Sequence, residues 1–200
     1  MYNYDSRFFF TASIRRDGSS RFAPENRWGI FPSVGLAWNV RNESFMQENK
    51  VFSDLKFRVG YGVTGQQDGI GNYDWQPRYG LGGLNSAYPL GGTYYQTYTP
   101  FGFNSALKWE ELTSYNAAID FGFAKGRITG NIDFYYRESQ DLLNSVPQAT
   151  GTNFSAFILA NVGTLENRGV EINLNTQLIK KSNFTWDLGL NATYNQNKIT

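Results

Sequence analysis

Along most of this chain apolar residues alternate with polar or very small ones, and the alternation persists almost to the C-terminus. In the last run Phe184, Trp186, Leu188, Leu190, Ala192 and Tyr194 share one face, while Thr185, Asp187, Gly189, Asn191, Thr193 and Asn195 share the other. A two-residue period describes a β-strand with one apolar and one hydrated face. About seven such runs are predicted, at residues 3–15, 28–40, 55–65, 113–123, 127–137, 168–178 and 184–195. Phe9 interrupts the first, and Pro32, which cannot donate to a ladder, predicts a bulge or a strand end in the second.

Strand length separates two readings of this pattern. Strands of soluble sandwiches run about five or six residues, whereas a tilted strand crossing a bilayer needs roughly nine to eleven. The runs here reach the membrane length. Connections alternate as well: residues 17–26, 66–104 and 138–160 are together the longer, turn-rich set, while 41–54, 124–127 and 180–183 are together the shorter, with some helix expected in the first of these. Bacterial outer-membrane barrels place long loops outside and short turns in the periplasm, so the long segments are assigned to the cell exterior. Trp28, Trp38, Tyr61, Tyr115, Tyr136, Trp186 and Tyr194 lie near strand ends, where amphipathic rings suit the headgroup layer.

The expected fold is therefore all-β, an antiparallel transmembrane β-barrel of which this chain supplies about seven strands. An open edge in hydrocarbon leaves backbone groups unpaired at several kcal/mol each, so the barrel must close with strands beyond those seen here. Its inner face, rich in Asn, Thr, Asp, Glu, Arg and Gly, is too polar for a solid core and predicts a wet or plugged interior. The outer face is expected to meet outer-membrane lipid.

Composition narrows the chemistry. Hydrophobic residues make up 40%, and no segment approaches the roughly 18 consecutive apolar residues of a spanning helix. Eighteen basic residues against 17 acidic give a net charge of +1, which offers no electrostatic footprint for nucleic acid. The absence of Cys and His removes thiolate nucleophiles, imidazole metal ligands and Ser-His or Cys-His pairs, so no catalytic residue, metal site or cofactor is assigned. The first residues read as a strand with no secretory leader, and the chain is expected to be a fragment.

Several motifs yield to structural readings. Gly60-Tyr61-Gly62-Val63-Thr64-Gly65 matches a dinucleotide fingerprint, but a loop rather than a helix is expected to follow, and small inner residues making room for a plug explain it better. Glu110 with Glu111, or Asp120 with Asp133, invite a carboxylate-pair reading for glycoside hydrolysis, yet lumen-lining acids account for them. Asn42, Asn153, Asn183 and Asn191 head glycosylation sequons that an Asn-rich chain generates freely. The candidate binding residues are Tyr73, Trp75, Tyr88, Tyr94, Tyr95 and Tyr98, followed by Phe101, on the longest predicted outer loop. Aromatic faces there suit a sugar or partner protein; packing of the loop on itself is the competing reading.

The blocks Arg15-Arg16-Asp17-Gly18-Ser19-Ser20-Arg21-Phe22, Gly29-Ile30-Phe31-Pro32-Ser33-Val34 with Ala37-Trp38, and Leu55-Lys56-Phe57-Arg58-Val59-Gly60-Tyr61-Gly62 with Gly65-Gln66 resemble the SusC/RagA family of TonB-linked outer-membrane transporters. Leu107-Lys108-Trp109-Glu110, Gly126-Arg127-Ile128 before Asp133-Phe134-Tyr135, and Asn161-Val162-Gly163 before Asn167-Arg168-Gly169-Val170-Glu171 extend the resemblance over nearly the whole chain. It implies a barrel of about 22 strands with an N-terminal plug, driven through TonB. It further implies a SusD-like surface lipoprotein partner and import of oligosaccharides or peptides in Bacteroidota-type bacteria. The family's plug, signal peptide and barrel-closing strand are not matched by any residue here. The rival reading is a soluble or surface-anchored all-β carbohydrate-binding or adhesin module, with an enzyme on a β-scaffold a distant third.

The two main readings part in water. Expressed alone, the segment is expected to aggregate or require detergent because it exposes apolar faces and open edges. Sedimentation of expressed protein with and without detergent checks this, and a soluble, cooperatively unfolding monomer would select the binding module.

Overall fold

The computed structural model describes residues 1–83, 86–149 and 151–200. Its strands are β1 (Tyr2–Tyr4), β2 (Phe8–Gly18), β3 (Trp28–Asn39), β4 (Phe52–Gln66), β5 (Tyr79–Leu81), β6 (Ala87–Leu90), β7 (Thr93–Gln96), β8 (Tyr98–Pro100), β9 (Glu110–Phe123), β10 (Ile128–Gln140), β11 (Leu143–Pro147), β12 (Phe157–Asn161), β13 (Thr164–Lys181) and β14 (Phe184–Ile199). Eight of them form one antiparallel sheet in the order β1-β2-β3-β4-β9-β10-β13-β14, an up-and-down meander interrupted only by excursions in the long loops. Those excursions hold three two-stranded sheets, β5 with β8, β6 with β7, and β11 with β12. The connection after β3 contains two 3-10 turns, Val40–Asn42 and Ser44–Met46. Among the described residues no helix is long and apolar enough to cross a membrane.

Register converts the sequence alternation into two continuous surfaces. Cross-strand partners share a face, so the pairs Phe10–Leu36, Leu36–Val59, Val59–Ala117, Ala117–Phe134, Phe134–Val170 and Val170–Tyr194 trace one apolar row across seven strands. Toward the short turns a parallel row runs Phe8–Trp38–Phe57–Ile119–Ile132–Ile172–Ala192. Tyr61, Tyr115 and Tyr136 are adjacent toward the long loops, with ring centroids 5.2 and 6.2 Å apart. Among the described residues nothing covers these rows: Leu190 is 59% exposed, Val59 53%, Leu36 50% and Phe134 47%. A sandwich buries such a face under a second sheet; here it is left bare, as a lipid-facing surface must be.

Strand lengths agree with that assignment. β2 to β4 run 11, 12 and 15 residues, β9 and β10 run 14 and 13, and β13 and β14 run 18 and 16, all at or above the membrane requirement.

Three expectations are corrected. The first run is not one strand but a hairpin, in which Asp5 and Ser6 take left-handed backbone (φ 52° and 51°) and the Arg7 N–H donates to the Tyr4 carbonyl. Tyr2 pairs with Phe10 and Tyr4 with Phe8, so a three-residue turn keeps even-numbered residues on one face and the alternation passes through the reversal undisturbed. The main sheet accordingly has eight strands rather than seven. Leu178 is skipped by a β-bulge, and Ile179 instead pairs with Trp186 on the apolar side. The 66–104 segment, predicted to be irregular, contains β5 to β8. At Pro32 the β3–β4 ladder stops, its last pair being Ser33–Gly62, while pairing with β2 continues through Ile14–Pro32.

The small core lies at the long-loop end. Phe22, Phe31, Ile70, Leu107 and Trp109 form its buried cluster, with Val63, Leu143 and Leu159 against them. Phe22 and Leu107 are fully buried.

Between Arg168 and Lys180, the polar residues that bracket the apolar stretch of β13, Leu174 lies midway and pairs with Leu190. In a full-length protein carrying this wall, Leu174→Arg is expected to cost about 2–4 kcal/mol and its opposite-facing neighbour Asn173→Arg less than about 1 kcal/mol. Equilibrium unfolding from lipid vesicles measures both, and equal costs or the opposite order would overturn the assignment of faces.

Candidate functional site

The hydrated face is built from rows that interleave with the apolar ones. Thr11, Gly35, Gly60, Asn116, Tyr135, Gly169 and Asn195 form one row; Phe9, Ala37, Arg58, Ala118, Asp133, Glu171 and Thr193 form the next. Phe9, which breaks the sequence alternation, thus faces the polar side, where the Lys56 ammonium lies 5.5 Å from its ring centroid. Gly35 and Gly60 leave open space, since a Cβ at Gly35 would meet nothing within 4 Å and one at Gly60 only a carbonyl at 3.9 Å. The result is a depression of about 600 Å³ with Ala37 and Ala118 on its floor and charged groups around it.

Those charges are organised by Arg58. Its Nε donates to Asp120 Oδ2 and its Nη2 to Asp120 Oδ1, both at 2.8 Å, while Nη2 also donates to Asp133 Oδ1 at 3.2 Å. The planar guanidinium matches one carboxylate bidentately and bridges to a second on the neighbouring strand. Asp120 and Asp133 are therefore the two arms of one ion-pair cluster. Glu110 and Glu111 sit on opposite faces of β9 as successive strand residues, and Glu110 accepts the Leu143 N–H. Residues 60–65 lie inside β4 with no helix after them, so they form no phosphate cradle.

The three outer loops are stitched together by asparagine side chains. Asn26 Nδ2 donates to the Leu107 carbonyl and Trp109 Nε1 to the Arg27 carbonyl, tying the β2–β3 loop to the segment before β9. Asn104 and Asn153 donate to the Leu159 and Phe103 carbonyls, joining that segment to the loop after β10. Asn161 accepts from the Lys108 N–H at 3.0 Å and donates to the Lys108 and Asp141 carbonyls, and the Lys108 ammonium pairs with Asp141 at 2.7 Å. Beneath these bonds Trp109 packs against Phe22 and Phe31, with ring centroids 5.0 and 5.5 Å away. Sequence reasoning missed this cluster as a core; its available signal was isolated large apolar residues, Phe22, Ile70 and Leu107, within polar outer loops.

The six candidate aromatics do not form one patch. Tyr88 and Tyr95 face each other across the β6–β7 hairpin, and Tyr94 is paired with Pro89 on its other side. Tyr98 lies opposite Leu81 in the β5–β8 pair. Tyr73 stands apart, sharing the Arg78 guanidinium with Phe101 at 5.6 and 5.5 Å. Trp75 is half-buried, and its indole N–H has no partner among the described residues. Tyr73, Tyr88, Tyr94, Tyr95 and Tyr98 are exposed.

A bare apolar belt, a charged opposite face, and long loops at one end alone describe the wall of an outer-membrane barrel. The family model for the TonB-dependent receptor-like β-barrel matches residues 1–200. This chain belongs to the TonB-dependent receptor β-barrel family. It is 49% identical over 199 residues to the TonB-dependent receptor SusC of Bacteroides thetaiotaomicron, covering 100% of this chain and 20% of that protein. Identity to the TonB-dependent receptor P39 of Formosa agariphila is 36%, over 99% of this chain and 18% of that one. Among solved structures, the RagAB peptide importer in its open-open state superposes with a TM-score of 0.86 at 30% identity, over 98% of this chain and 21% of the other. The chain spans about a fifth of the length of these relatives. As a piece of a TonB-dependent receptor, the barrel wall lies in the outer membrane, its apolar rows toward lipid and its charged rows toward the lumen.

Replacing Asn161 by Ala removes one acceptor and two donated bonds at a junction of two loops. In the full-length receptor this variant is expected to lose about 1–3 kcal/mol of local stability, the cost of leaving backbone groups unpaired. Hydrogen exchange at the Lys108 amide should quicken about fivefold or more, while the amides of β9 and β10 within the membrane should not change.

Proposed function

We propose that this chain is a wall segment of a TonB-dependent importer of oligosaccharides, working with a SusD-like lipoprotein at its outer mouth. TonB acts through a plug supplied by another part of the protein, and the depression over Gly35, Gly60, Ala37 and Ala118 offers that plug a seat without displacing side chains. The observation that carries the choice of substrate is the Tyr88–Tyr95 pair. Two exposed phenol rings directly opposed on a hairpin, in a loop stitched to its neighbours, give an amphipathic face of the kind that stacks on a pyranose ring. Exposed rings on a long outer loop also suit a partner protein, and Tyr73, Tyr94, Tyr98 and the half-buried Trp75 are assigned to substrate or lipoprotein contact. A soluble binding module fits less well, because it would have to keep whole apolar rows in water. Peptide import is the second reading, favoured by the 30% identity to the peptide importer RagAB.

The test uses the full-length receptor and its lipoprotein, titrated calorimetrically with panels of oligosaccharides and of peptides. Replacing both Tyr88 and Tyr95 by Ala is expected to weaken oligosaccharide binding about tenfold, or ~1.4 kcal/mol, and to slow uptake in parallel. Saturable binding of peptides with none of oligosaccharides would put the second reading in place of the first.

A further inference from the structure

The apolar belt carries one groove that the import function does not use. It lies on the lipid face across β4, β9, β10, β13 and β14, has a volume of about 750 Å³, and is lined almost wholly by apolar surface. Its floor follows the row Ala117–Phe134–Val170, and it deepens because Ala117 is small where its neighbours in the belt are large. Tyr136 and Tyr194 border it.

At its long-loop end the groove reaches Arg168, which the register places beside Tyr136 on one side and Gln196 on the other. Arg168 is exposed, and its Nε and Nη2 donate to Gln196 Oε1 at 3.2 and 3.0 Å. That partner is a neutral amide, and Arg168 is in none of the ion pairs among the described residues. The next position outward pairs Glu166 with Glu138 and with Lys198, so the surface there holds both signs. An unneutralised guanidinium thus stands at the level of the tyrosine girdle, directly above an apolar slot, and guanidinium geometry favours phosphate.

We propose that this groove holds one anionic, phosphate-bearing lipid of the leaflet on the long-loop side, an acyl chain lying along Ala117, Phe134 and Val170 and the phosphate against Arg168. Charge complementarity selects the headgroup, and continuity with the lipid-facing belt selects a lipid over a soluble anion. Such a lipid bridges β9 to β14, the stretch of wall that carries the loop after β10.

Full-length receptor in mixed micelles is offered equimolar phosphatidylglycerol and phosphatidylcholine, and bound lipid is counted by native mass spectrometry. Wild type is expected to retain about one phosphatidylglycerol with at least a tenfold preference. Arg168→Gln should abolish the preference, and Arg168→Lys should keep most of it. Ala117→Phe, which fills the slot but leaves the charge, should lower retention of both lipids. Heat-modified electrophoretic mobility shows that each variant is folded. A wild type with no preference, a preference that survives Arg168→Gln, or retention unchanged by Ala117→Phe would overturn the proposal.

Discussion

Everything in this wall depends on the rule that a backbone N–H or C=O in hydrocarbon must be paired within the protein. Water cannot rescue a missed bond there, so each strand must keep its ladders with both neighbours for the full thickness of the membrane. The β4–β9, β9–β10 and β10–β13 pairs do so without a register shift across the belt. Irregularity is pushed to the ends. The bulge that skips Leu178 and the shift between Phe52 and Asp54 both lie near the short turns. The ladder that ends at Pro32 does so toward the long loops, beside the buried Phe31.

A fixed register ties the two faces to one another. The same pairing that lines up Val59, Ala117 and Phe134 toward lipid brings Arg58, Ala118 and Asp133 together on the next row toward the lumen. A slip of one residue would turn Arg58 and Asp120 into hydrocarbon and Val59 into the lumen, each a large penalty. The Arg58 cluster thus needs no great strength of its own to define the register; its bonds to Asp120 and Asp133 are satisfied only in this one. Glycines at Gly35 and Gly60 weaken strands intrinsically, and the tolerance for them follows from ladders held on both sides.

The parts legible in the sequence are those where the two solvents differ most. Residues 113–123, 127–137 and 184–195 alternate cleanly because one side meets lipid and the other water, and each assigned face is as found. Where both sides are wet the signal vanishes: β13 begins at Thr164, not at residue 168, yet Glu166 and Arg168 point the same way as Val170 and give no apolar cue. The β1–β2 reversal was hidden for another reason, since an odd-length turn preserves parity and Asp5-Ser6 supplies left-handed backbone without a glycine. The loop aromatics were visible as residues, but their grouping was not. Tyr88 finds Tyr95 through a hairpin with Gly91 and Gly92 at its tip, whereas Tyr73 and Trp75 go elsewhere, and nothing periodic announces either outcome.

The absence of a core between the faces explains why the outer loops carry one. A soluble domain stabilises its loops by anchoring them to a buried interior, but this sheet has lipid on one side and the lumen on the other. Loops that are to hold a fixed shape must bury something of their own. Phe22, Ile70, Leu107 and Trp109 supply that apolar centre, with Phe31 reaching into it from the strand. Asn26, Asn104, Asn153 and Asn161 then bond backbone groups of the neighbouring loops, fixing them to one another. The arrangement separates two tasks. Membrane residence rests on the ladders and the apolar rows, while the shape of the outer mouth rests on a cluster beyond the membrane. Exposed outer elements such as the β6–β7 hairpin can therefore vary without disturbing the barrel wall.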